Sequence, residues 1–190
     1  KKTVVVEGTA DCNACMFGVG GVRPNGMTLI GGTSTCLLGL SEEEFHVDGV
    51  NGTYPNCMYD GTSLLEGGQT AAGSILTWFK NNLLPAAWMQ EAVNRNMNIY
   101  DLITEKASAV PIGCDGLVMM DYFQGNRAPY ADSKARGMFW GLSIGTTPAH
   151  LARAVYEGVA YGANHCIVSM KKAGYDVKEI YACGGLAQSD

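Results

Sequence analysis

A chain of 190 residues is long enough for one domain and too short for two large ones. Hydrophobic residues make up 47% and charged residues 16%, which favours a substantial buried core with little solvated charge. A formal net charge of −5 argues against a nucleic-acid partner, which needs a basic face, but leaves room for a nucleotide, because backbone N–H groups of glycine-rich loops hold phosphates and 25 glycines supply such loops.

The elements follow in chain order. The β-branched run Thr3 to Glu7 predicts a buried strand, and Asp11 to Gly18 a short helix rich in small residues. Met27 to Ile30 and Thr35 to Leu40 predict two apolar strands joined as a hairpin through Gly31-Gly32-Thr33-Ser34. Ser41 to Tyr54 reads as polar and irregular. Gln69 to Asn82 predicts an amphipathic helix with Ala72, Ile75, Leu76 and Phe79 on one face, and two further helices are expected over Ala86 to Asn94 and Asn98 to Ala107. Leu117 to Phe123 predicts a strand, Gln124 to Ala135 a loop, and Gly137 to Ser143 another strand or edge segment.

The clearest element is a long helix after Thr147, with Pro148 in its first turn, running to Lys172 and ended by Gly174. Leu151, Val155, Val159, Gly162, Cys166 and Met170 form its apolar stripe, and its small residues would let another backbone approach closely. Arg153, Glu157 and His165 interrupt it, so it does not read as membrane-spanning. Val177 to Cys183 predicts a last strand running into Gly184-Gly185. Strands first, then helices, then β-α-β, suggest one α/β domain with a mixed sheet and helices on its faces.

Several residues are candidates for chemistry. Asp11 follows the first expected strand, where an acid can project into a cleft and take a proton from a hydroxyl; locally, a helix cap is the competing reading. Gly32, Thr33 and Ser34 could cradle phosphate without being a Walker A loop, or form an ordinary turn. Gly184, Gly185 and Ser189 lie in a β-α turn that could approach a nucleotide, or be a tight turn and no more. Arg127 could organise a cleft or tether a loop, while Arg153, Glu157 and His150 read as structural. Cys12 and Cys15 invite a redox or zinc reading, but there is no second CxxC and the three histidines are far apart, so no metal site is expected and the cysteines read as buried small residues. Seven scattered cysteines suit reduced thiols in a cytoplasmic protein, and the apolar run after Lys1-Lys2 is too short for a signal peptide.

Gly137 to Glu157, GMFWGLSIGTTPAHLARAVYE, resembles the second signature of the FGGY carbohydrate kinases. In the same order, the Asp11 segment resembles that family's catalytic-aspartate stretch, Gly32-Thr33-Ser34 its phosphate-contacting hairpin, Gly125 to Pro129 its Gly-x-Arg-x-Pro loop, and the Gly184 turn the adenosine motif of the sugar kinase, Hsp70 and actin superfamily. The resemblance implies an actin-like ATPase (ribonuclease H-like) fold, ATP and Mg²⁺ as cofactors, Asp11 as general base, and a sugar or polyol bound between two domains. It implies that residues 1–190 are a single C-terminal domain, cut at both ends relative to the full enzyme. A missing N-terminal domain would then carry most of the sugar pocket and the acids that hold Mg²⁺. Gly32 to Cys36 and Glu66 to Gln69 resemble ribulokinase-like members, the His150 to Glu157 helix xylulokinase and glycerol kinase members, so a ketopentose is the expected substrate. The alternatives are a glycerol or erythritol kinase, and a non-kinase nucleotide module of the actin or Hsp70 type. Neither nucleic acid nor membrane is expected as a partner; a homodimer is allowed.

Overall fold

The computed structural model describes residues 2–5, 8–46, 50 and 53–187. Its main sheet has five strands: β1 (Gly26–Gly31), β2 (Thr35–Ser41), β3 (Thr53–Pro55), β4 (Ser63–Gln69) and β7 (Glu179–Cys183), in the order β3-β4-β2-β1-β7. Strand β7 runs parallel to β1 and the other pairings are antiparallel, so the sheet is mixed, as expected. A separate two-stranded ribbon joins β5 (Val118–Met120) to β6 (Met138–Trp140).

The sheet is covered on both faces, which is why its central strands read as nearly continuous apolar runs. On one face α1 (Asp11–Val19) lays Met16 on Leu38, Leu40 and Leu64. On the other, α5 (Pro148–Lys172) brings Cys166 and Met170 against Met27, Leu37, Leu65 and Tyr175. A helical layer of α2 (Gly73–Asn82), α3 (Ala86–Asn94) and α4 (Ile99–Ser108) continues the second side, with Ile75, Phe79, Ile103 and Val155 at its centre.

The small residues of α5 have the purpose the sequence suggests. A Cβ at Gly158 would sit 2.5 Å from the Met119 carbonyl oxygen, and one at Gly162 2.4 Å from both Asp121 Oδ2 and Gln69 Nε2. Contacts that short leave room only for glycine, so α5 lies directly on β5 and on the Gln69–Asp121 pair. Gly174, at φ 104°, ends the helix and turns the chain so that the Tyr175 hydroxyl donates to the Gly26 carbonyl at 2.6 Å.

Three expectations are corrected. Residues 3–5 form no strand, and Val4 and Val5 are 83% and 89% exposed, while Val6 and Glu7 lie outside the described residues. β-branched residues favour a strand only when a neighbour pairs with them, and among the described residues none does. The helix expected from Gln69 starts at Gly73, because Gln69 closes β4 instead. Strands β3 and β4 went unforeseen. The Gly67-Gly68 pair inside β4 looks like a turn signal, yet it marks close approach: a Cβ at Gly67 would meet Met170 Cε at 2.7 Å, and one at Gly68 would overlap the Thr35 carbonyl.

Asp121 is a buried acid at the junction of these layers. Its Oδ2 accepts from Gln69 Nε2 at 2.7 Å, and Gln69 Nε2 also donates to the Val159 carbonyl at 3.0 Å. Burial pushes the Asp121 carboxyl above its ordinary value, with the Gln69 contact and its own backbone N–H opposing. An acid raised in the folded state binds its proton more tightly there than in the unfolded chain. The domain should therefore lose stability as pH rises from the ordinary carboxylate range through the raised value, and regain it on acidification through that window. In Asp121→Asn this part of the slope should disappear, read by urea midpoints measured across that pH range.

Candidate active site

Three features meet at one end of the sheet. The β1–β2 hairpin closes through Gly32, Thr33 and Ser34, between the paired residues Gly31 and Thr35, with the Gly32 N–H donating to the Ser34 carbonyl at 2.9 Å. Thr33 and Ser34 are exposed. The start of α2 grips this turn: the Ala72 and Ser74 N–H groups donate to the Thr33 carbonyl at 2.9 and 3.1 Å, the Gly73 N–H to the Gly32 carbonyl at 2.9 Å, and Ser74 Oγ to the Thr33 carbonyl at 2.9 Å.

The first N–H groups of a helix lack intrahelical partners, and here the hairpin supplies them. A trans peptide is planar, with its C=O and the following N–H pointing opposite ways. Since the Gly32 and Thr33 carbonyls point at α2, the N–H groups of Thr33 and Ser34 face away from it. Two adjacent amides on an exposed turn form a shallow anion cradle.

The last turn packs against the same hairpin. β7 ends at Cys183, Gly184 takes φ 92°, and a short 3-10 turn follows over Gly185–Ala187. A Cβ at Gly184 would stand 2.3 Å from the Gly31 carbonyl, and Leu186 covers Gly31 and reaches towards Gly73. Around Gly185 a Cβ would meet nothing within 4 Å, so this backbone is open to a ligand. Ser189 lies outside the described residues.

Asp11 is the first residue of α1, after the N-cap Ala10, and is exposed; its Oδ1 accepts from the Cys12 N–H at 2.8 Å. It is thus not the cap itself. Helix α1 begins at the hairpin end of the sheet, where Cys12 neighbours Cys36, the residue after Thr35, and Cys15 neighbours Cys183. It runs towards the opposite end, where Gly21 abuts Thr28 and Tyr181. Asp11, the hairpin and the Gly184 turn therefore share one rim of the domain.

Arg127 comes to the same face by an unforeseen route, pairing with Glu66 of β4. Glu66 is paired in register with Leu38, so it stands on the α1 side of the sheet, and its charge is felt at Cys12 and Cys36. The sequence alone does not single out Gly73 and Ser74, because the helix is expected to start at Gln69, nor the pairing of Glu66 with Arg127, because β4 is not expected; a Gly-Ser pair following Ala71-Ala72 is the available signal for a helix start.

The second-signature residues are structural, as expected. His150 Nδ1 accepts from the Thr147 N–H at 3.2 Å, which leaves the proton on Nε2 facing Asp115 Oδ2 at 3.2 Å. Glu157 takes Arg153 Nε at 2.7 Å, the Gly113 N–H at 3.1 Å and the Tyr161 hydroxyl at 3.2 Å. Burial opposes its ionisation, but these three donors outweigh it and hold the carboxyl below its ordinary value. Among the described residues, no cluster of three or more His, Cys, Asp or Glu is arranged to hold a metal ion, and no helix is long and apolar enough to cross a membrane.

The sheet order, the covered faces and the three turns at one rim define a domain of the actin-like ATPase class. Residues 27–190 match the C-terminal domain of the FGGY family of carbohydrate kinases, and the chain belongs to that family. It is 32% identical over 188 residues to a ribulokinase of Bacillus licheniformis, covering 99% of this chain and 34% of that protein. To a ribulokinase of Halalkalibacterium halodurans it is 34% identical over 186 residues, covering 98% and 33%. Among solved structures, a xylulose kinase from Rhodospirillum rubrum superposes with a TM-score of 0.81 at 29% identity, over 95% of this chain and 34% of that one. The chain thus spans about a third of the length of the curated relatives it matches.

The grip of α2 on the hairpin can be tested directly. A Cβ at Gly73 would stand 2.6 Å from the Gly32 carbonyl oxygen. Gly73→Ala should push the two apart and cost about 1–3 kcal/mol, as overpacking typically does. Faster hydrogen exchange at the amides of residues 72–74, with α4 unchanged, is the expected reading.

Proposed function

We propose that the protein transfers the γ-phosphoryl group of ATP to a hydroxyl of a ketopentose, ribulose or xylulose, and that residues 1–190 are the C-terminal, nucleotide-holding domain of that enzyme. A partner domain would close over it and complete the sugar pocket. The observation that carries this is the shared rim: an exposed carboxylate, two outward amides and an open Gly-Gly turn, in a chain whose relatives include ribulokinases and a xylulose kinase.

In this reading the Gly184-Gly185 backbone, with Ser189 beyond it, lies against the adenosine end of ATP. The Thr33 and Ser34 amides and hydroxyls hold the phosphates, where charge spreads over the transferred group. Asp11 accepts the proton of the attacking hydroxyl. Much of the rate would come from holding that hydroxyl in line with the γ-phosphorus. Mg²⁺ commonly binds through one or two carboxylates plus substrate phosphates, and would neutralise phosphate charge here. Among the described residues Asp11 is the exposed acid assigned to the rim, and in this reading the partner domain supplies further carboxylates.

In the full-length protein, Asp11→Asn should lower sugar-dependent ADP formation by at least about 100-fold while leaving ATP affinity within about twofold. Turnover close to wild type would remove Asp11 as the base. A panel of D-ribulose, L-ribulose, D-xylulose, glycerol and erythritol, read by the same assay, tests the substrate class. Highest kcat/KM is expected for one of the ketopentoses, and preference for glycerol or erythritol would overturn that assignment.

A further inference from the structure

The function above leaves the cysteines unused, yet five of the seven gather around α1. Cys12 and Cys15 are three residues apart on that helix, so both face the sheet from one side. In the sheet, Ile30 of β1 pairs with Cys36 of β2 and with Cys183 of β7, which puts Cys36, Ile30 and Cys183 in one row across three strands. Residues in such a row point to the same face. That face is α1's, because Ile30, Cys36 and Cys12 all pack against the cluster that Met16 of α1 forms with Leu38, Leu40 and Leu64. The two helical thiols are thus set against the two outer members of the row: Cys12 lies beside Cys36, and Cys15 beside Cys183. Asn13 bridges Cys12 to the exposed Cys57.

We propose that Cys12–Cys36 and Cys15–Cys183 are two dithiol sites that close to disulfides on reaction with a low-molecular-weight disulfide, fastening α1 to the sheet at the rim. All four cysteines are partly exposed, so a small oxidant can reach them. The Cys12 thiolate attacks the small disulfide and releases one thiol, leaving a mixed disulfide. The Cys36 thiolate then attacks the Cys12 sulfur and expels the second thiol. Two protein thiols lose two protons and two electrons, and the small disulfide is reduced to two thiols; Cys15 and Cys183 react in the same way.

The reaction is slow at neutral pH. Burial, and then the charges of Glu66 and Asp11, raise the Cys12 thiol, and burial beside Cys12 pushes Cys36 up to about 12, against the pull of Arg127. Raised thiols slow the attack, while the final extent of linking is set by the thiol-disulfide ratio of the surroundings. Since Asp11 precedes Cys12 directly, fastening the helix also fixes the carboxylate at the rim; this consequence rests on the reading of Asp11 as base, whereas the pairing of thiols does not.

The test treats the full-length protein with oxidised glutathione, blocks remaining thiols, and maps linked peptides by mass spectrometry before and after dithiothreitol. Links Cys12–Cys36 and Cys15–Cys183 are expected, both reversible, and Cys36→Ser should lose the first and keep the second. Glutathione on Cys57 alone, or a Cys12–Cys57 link in place of Cys12–Cys36, would overturn the proposal. Sugar-dependent turnover is followed in the same samples. A change of at least fivefold, reversed by dithiothreitol and smaller in Cys36→Ser, is expected; links formed with turnover unchanged would remove the coupling to Asp11 alone.

Discussion

The β1–β2 hairpin at the rim depends on the way α2 takes hold of it. The first amides of a helix must find acceptors, and those of α2 find the Gly32 and Thr33 carbonyls. That single arrangement does three things. It satisfies the helix end, it fixes the hairpin against the helical layer, and through peptide planarity it turns the Thr33 and Ser34 amides outward. Glycine at position 73 is what makes the approach close enough, since a side chain there would meet the carbonyl it needs to bind.

The same economy of small residues recurs wherever layers meet. Gly158 and Gly162 seat α5 on β5 and on the buried Gln69–Asp121 pair, Gly67 admits Met170, and Gly184 lies on Gly31. These contacts tie the long helix to the sheet and the last turn to the hairpin. The geometry of the rim is therefore inherited from the core, not from flexible loops that happen to converge. Arg153, Glu157 and His150 belong to this scaffold too: they bind α5 to the Gly113–Asp115 turn and to its own first turn.

Much of this was legible in the sequence, and the exceptions have physical causes. The hairpin, α3, α4, α5 and β7 announced themselves through periodicity and through Gly or Pro punctuation, signals that depend on neighbours in the chain. The family resemblance rested on the same stretches, and the fold and relatives agree with it. Strand β4 was hidden because Gly67 and Gly68 serve contacts with Met170 and Thr35, which are remote in sequence. The run from Thr3 read as a buried strand because propensity was counted without a partner to pair it. Of the candidate site, Asp11, the hairpin and the Gly184 turn were named in advance. Gly73 and Ser74, which hold the hairpin, were not, since they act through the start of a helix expected four residues earlier, and the pairing of Glu66 with Arg127 was hidden with β4. The cysteines show the same limit: scattered along the chain, they are brought together by one helix and one row of the sheet.

The central claim is that the attacking hydroxyl meets Asp11 while the phosphates rest on the hairpin amides. A crystal structure of the full-length protein with a non-hydrolysable ATP analogue and a ketopentose tests it most directly. The account calls for one sugar hydroxyl within hydrogen-bond distance of an Asp11 carboxylate oxygen, in line with the terminal phosphorus, and for phosphate oxygens on the Thr33 and Ser34 N–H groups. A sugar hydroxyl held by a different carboxylate, or a nucleotide whose phosphates lie away from the hairpin, would contradict it.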